Sequence, residues 1–136
     1  MPVKLTLRMQ NWITRLGVHV ATSDLSGKTT VVVAEKCLVE GSKIKIPLSE
    51  NQIRQIEANI RQNPQVALAP GQLGSIRAPY QIKGIANLAT DMLELEINEI
   101  YCTKPGDEAG LRLDVLGFTT MNKFDTSRWS DIEPPQ

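Results

Sequence analysis

Ser49, Glu50, Asn51 and Gln52 have the spacing of a capping box, with the Ser49 hydroxyl and the Gln52 amide covering backbone donors at a helix start. The free amides and partial positive charge of such a start suit a phosphate, although Glu50 already places a negative group there. His19, the single histidine, alternates with Val18 and Val20 and has no evident nucleophile or acid partner. It reads as a strand residue facing solvent or an interface. Arg77 lies in a stretch rich in proline and glycine, where it can point at a ligand or at water. Cys37 and Cys102 lie far apart without a Cys-x-x-Cys spacing, so they read as ordinary reduced thiols rather than zinc ligands or a redox pair. A Gly-rich phosphate loop, a Gly-x-Ser-x-Gly elbow and a His-Glu-x-x-His pair are all missing, which leaves hydrolase and nucleotide triphosphatase readings without a site.

The elements that must position these residues follow from periodicity. Met9, Trp12, Ile13 and Leu16 share one helical face and predict a helix over about 6–16, which Gly17 ends. Val18 to Thr22 reads as a first strand, and a second spans about Thr29 to Val39, opening on the β-branched run Thr29-Thr30-Val31-Val32-Val33. Lys43-Ile44-Lys45-Ile46 alternates as a third strand, so the first three strands are expected to form a meander. The capped helix then carries Ile53, Ile56 and Ile60 on one face until Asn63-Pro64 stops it. Val66-Ala67-Leu68 opens a fourth strand, the segment from Pro70 to Pro79 reads as a loop, and Tyr80 to Leu88 and Met92 to Tyr101 give the last two strands.

With 136 residues, the chain is long enough for one domain with its own core. Residues 1–116 are assigned to it, and 117–136, with isolated Phe118, Met121, Phe124 and Trp129, to an irregular tail. Fifteen basic and fifteen acidic side chains cancel, so no global field draws in nucleic acid or an anionic membrane, and any anion recognition is local. No apolar run reaches the length of a bilayer span and Met1-Pro2-Val3-Lys4 lacks a signal-peptide core, so the expected location is cytoplasmic.

Asn59, Ile60, Asn63, Pro64, Val66, Ala67 and Leu68, followed by Tyr80, Ile82, Lys83, Gly84 and Ala86, resemble the paired motif of the pyridoxamine 5′-phosphate oxidase-like FMN-binding split-barrel family. The resemblance implies a mainly β fold, a six-stranded antiparallel split barrel with a few helices. It also implies a homodimer that holds FMN in two grooves between subunits and passes electrons to a small-molecule acceptor, with no catalytic side chain required. The resemblance implies cofactor contacts from Val33, Ala34, Glu35 and Lys36 at the end of the second strand and from Gln55 on the helix; the helix-start amides add Ser49 and Asn51, and Arg54, one residue from Gln55, is a substitute cation. Where the family has a Lys-Thr pair for the FMN phosphate, this chain has Gln55 and Ile56, so Gln55 can donate without charge and Ile56 cannot donate at all. That departure keeps open a flavin-free split barrel with a binding or structural role, and the fold itself also admits haem or a deazaflavin.

Overall fold

The computed structural model describes residues 3–114 and 119–120. Helix α1 (Leu7–Leu16) leads into strands β1 (Val18–Ser23), β2 (Thr29–Ala34), β3 (Leu38–Glu40) and β4 (Lys43–Pro47). Helix α2 (Glu50–Gln62) follows, then β5 (Gln65–Pro70), the short β6 (Gln72–Leu73) and β7 (Ile76–Arg77), and the long β8 (Tyr80–Leu88) and β9 (Met92–Cys102). The main sheet has seven strands in the order β2-β1-β5-β8-β9-β4-β3, and every pairing is antiparallel.

This order requires a rolled sheet. β2 and β3 are its two edges, yet only Glu35, Lys36 and Cys37 separate them in the chain. That link reaches roughly 14 Å when fully extended. Seven flat strands spaced by about 4.8 Å would hold the edges nearly 30 Å apart. The sheet therefore curls until its edges nearly meet, which makes a barrel with a split between β2 and β3. Inside lie alternate residues of each strand, among them Val20, Val32, Ile44, Ile46, Leu68, Ile82, Leu93 and Leu95, and α2 adds Ile56 and Ile60.

Helix α2 forms as read in the sequence, with the full capping box, while Thr6, expected as the first residue of α1, instead caps it by accepting from the Met9 amide. Two further anchors join helix to sheet. Asn59 Nδ2 donates to Thr22 Oγ1 at 3.0 Å, and Thr22 in turn donates to the Thr30 carbonyl at 3.2 Å, so α2 is tied to both strands of the first hairpin. Trp12 of α1 donates to the Gly71 carbonyl at 2.7 Å.

Three expectations are corrected. The predicted second strand is two strands, because Gly17 lets its chain approach Ala34 and Glu35 without side-chain interference while Cys37 turns inward to donate to the Ile13 carbonyl. In consequence the first three strands are not a meander: β1 pairs with β2, but β4 lies across the barrel between β9 and β3. The proline and glycine-rich stretch before β8 holds a hairpin, β6–β7, turning at Gly74 with φ of 61°. The residues called an irregular tail lie outside the described residues except Thr119 and Thr120; Thr119 is buried and donates to Glu108 at 2.6 Å. Among the described residues, no helix is long and apolar enough to cross a membrane.

Burial fixes the state of both cysteines. It pushes the Cys37 thiol up to about 12 and raises Cys102 as well. Neither is a nucleophile at neutral pH. Ellman's reagent should therefore leave both thiols untouched in the folded protein and titrate both in denaturant; a thiol reacting at the native rate of a free cysteine would contradict this packing. Because the folded value of Cys37 lies above its ordinary 9.0, its contribution to stability is complete below pH 9 and is lost as pH rises toward 12. Urea midpoints should accordingly fall on the alkaline side of pH 9.

Candidate functional site

The end of β2 and the start of α2 form one continuous wall. Gln52 Nε2 donates to the Val33 carbonyl at 2.6 Å, and the same Gln52 side chain accepts from the Ser49 amide at 3.0 Å. A single glutamine thus closes the capping box and clamps the helix start to the strand edge. Gln52 was visible in the sequence as a capping residue, but nothing local announced its contact with a strand 19 positions earlier.

The implied cofactor residues distribute around this clamp. Val33 stands on the outer sheet face, 52% exposed, whereas the Ala34 side chain is buried and only its backbone reaches the wall. Glu35 and Lys36 are exposed in the link across the split. Lys36 has no partner among the described residues, since Glu40 pairs instead with Lys45 at 3.2 Å. Ser49, Asn51, Arg54 and Gln55 are exposed on α2. Ser49 Oγ accepts from the Gln52 amide at 3.2 Å, which leaves the Glu50 and Asn51 amides as helix-start donors without a partner among the described residues. Arg54 is engaged with Glu50 at 2.6 Å, so its charge is directed back at the helix start rather than outward. Ile56, which stands where the family has the threonine of its phosphate pair, is wholly buried in the barrel and faces away from this surface.

Beside the wall, the outer face of the sheet is mostly apolar. Cross-strand register sets Val33, His19 and Ala69 in one row and Val31, Ala21, Ala67, Lys83 and Glu99 in the next. Val31 is 57% exposed and His19 also faces out. At the far side, Lys83 Nζ lies 4.6 Å from the centre of the Tyr101 ring, and the Tyr101 hydroxyl donates to Glu99 at 2.5 Å. Glu99 raises the Tyr101 hydroxyl above its usual range through that bond. A cavity of about 370 Å³ opens on this face between Thr22, Asn63, Gln65, Lys83 and Asn98. A second, of about 290 Å³, lies under the β6–β7 hairpin, and neither contains any of the eight implied cofactor residues. No group of histidine, cysteine and acidic residues among those described could hold a metal ion.

No protein-family model and no curated protein matches the chain. Solved structures do. A candidate pyridoxamine 5′-phosphate oxidase from Lactobacillus delbrueckii superposes with a TM-score of 0.61 at 20% identity, over 73% of this chain and 94% of its own. HupZ from Group A Streptococcus gives 0.59 at 16% identity, over 78% and 99%. An FMN-binding protein from Syntrophomonas wolfei gives 0.58 at 8% identity, over 74% and 88%. At such identities the likeness is one of fold. The chain has the split-barrel fold of the pyridoxamine 5′-phosphate oxidase-like proteins.

Proposed function

We propose that two copies of this chain pair through the outer sheet face and hold FMN noncovalently in the grooves between them, where the flavin passes electrons to a small acceptor. The observation that carries this reading is the Gln52 clamp, which fixes a helix start with two free amides against the backbone of Val33. Such a corner offers N–H groups and a partial positive charge to a phosphate, and backbone groups to the rim of a flat heterocycle. The solved structures of this fold include a protein described as FMN-binding. No side chain need act as acid or base, because the cofactor supplies the redox chemistry when bound. The chain's own residues bind it and shield it.

The pairing has its own support and test. Val31, Val33, Ala21, Ala67 and Ala69 make a surface of small apolar side chains, which a symmetric partner would cover. Ala67→Glu, at the middle of this surface, should halve the mass measured by light scattering while leaving the circular dichroism spectrum unchanged. A wild-type chain that is already a single copy at micromolar concentration would remove the pairing and the shared groove with it.

A flavin-free split barrel is the second reading, favoured by the Arg54–Glu50 pair and by an uncharged Gln55 at the helix surface. Gln55→Lys separates the two. It adds a cation to an exposed position beside the free amides, and under the flavin reading it should tighten FMN roughly tenfold, the effect of one added charge-assisted hydrogen bond. Ile56 is left alone, since a hydroxyl there would enter the core. Unchanged FMN binding in both forms, with no affinity in either, would favour the flavin-free barrel.

A further inference from the structure

The chemistry above makes no use of Arg77, which the hairpin β6–β7 carries to the rim of the 290 Å³ cleft. Thr103 and Pro105 of the turn after β9 line it as well, together with Pro70, Pro79 and Gln81. Hydrogen bonds hold the chain on both sides of it. Gly71 donates to the Gly17 carbonyl at 2.9 Å and accepts from Trp12, while the Thr103 amide donates to the Pro79 carbonyl at 2.9 Å. The cleft is therefore part of the fold's fixed framework.

Its chemistry is one-sided. Arg77 is the single charged residue among those lining it, and its guanidinium has no hydrogen-bond or ion-pair partner among the described residues. Lys104 follows Thr103 in the facing turn, and the buried Glu108 of that turn is bonded to Thr119. Thr103 and Gln81 line the same cleft, and their hydroxyl and amide are neutral donors. A planar fork of donors over a proline-lined hollow is the arrangement that takes a phosphate or carboxylate group with a short organic remainder.

We infer that this cleft is an anion-binding site, with Arg77 as the charged contact and Thr103 and Gln81 as supporting donors, for the phosphate or carboxylate of a small molecule. The site does not depend on FMN binding. Two sources fit the chemistry: a separate anionic substrate, or the phosphate of a flavin nucleotide, which would then lie here and not at the α2 start.

Calorimetric titration of the full chain with inorganic phosphate, at constant ionic strength set with sodium chloride, tests it. Saturable binding at one site per chain is expected, weakened about tenfold or more by Arg77→Ala and only in part by Arg77→Lys, which keeps the charge and loses the fork. Arg61→Ala, at a helix arginine paired with Glu57, should leave it unchanged. Equal binding by wild type and Arg77→Ala, or a heat that never saturates and is the same in Arg77→Ala and Arg61→Ala, would overturn the inference. A repeat in the presence of FMN identifies the source. Competition by phosphate, with FMN weakened by Arg77→Ala, marks the nucleotide phosphate, and an unaltered FMN affinity marks a separate substrate. Failure of the chain to bind FMN leaves the phosphate titration intact, so the two readings fall separately.

Discussion

Gly17→Ala should lower the unfolding free energy by about 2–6 kcal/mol, among the largest single-site effects in this chain. The backbone at φ of 77° and ψ of −167° lies in a region essentially reserved for glycine and costs an alanine roughly 1–3 kcal/mol by itself. The new methyl would also stand 2.0 Å from the Ala34 carbonyl oxygen and 2.7 Å from the Glu35 carbonyl carbon. Both are backbone atoms, at the end of β2 and in the link just after it, and cannot rotate away. The strand would have to move, at a further cost of about 1–3 kcal/mol. Gly27→Ala provides the control, because its φ of 91° carries similar strain while nothing lies within 4 Å of the added carbon. Urea unfolding should place Gly17→Ala well below Gly27→Ala. Equal midpoints would mean that the close approach of α1 to the end of β2 is not as described. Since that strand end is one side of the proposed groove, a folded Gly17→Ala should also lose FMN affinity.

Trp12→Ala should cost roughly 3–5 kcal/mol, the usual range for emptying a buried aromatic site. Trp12 is 1% exposed, and its indole N–H is the partner of the Gly71 carbonyl at the base of the β6–β7 hairpin. Two losses are combined in the alanine, a cavity and an unsatisfied carbonyl. Trp12→Phe separates them, because it keeps most of the volume and removes only the donor, for about 1–3 kcal/mol. Hydrogen exchange should show the hairpin amides opening faster in both variants. A hairpin whose protection is untouched by Trp12→Phe would show that the bond is incidental to its position.

The legibility of this chain follows the range of the interactions involved. The capping box, the Ile56–Ile60 face of α2, the Asn63-Pro64 stop and the alternation in β8 and β9 are set by neighbours within a few residues, and all were readable. The break of the second strand was not. It depends on Gly17 meeting Ala34 and on Cys37 reaching Ile13, and in sequence the run from Thr29 to Val39 stays β-like throughout. The β6–β7 hairpin is too short to show a period, and its turn at Gly74 was read as generic loop. At the site, the types of residue at the helix start were legible while their commitments were not. That Arg54 serves Glu50, that Gln52 holds Val33 and that Ile56 belongs to the core are facts of three-dimensional packing.

The central claim is that the corner where α2 meets β2 holds a flavin nucleotide. Its most direct test is a titration of FMN with the purified chain, followed by flavin fluorescence. The proposed reading predicts saturable quenching at one FMN per chain, and fluorescence that stays linear up to high micromolar chain would contradict it.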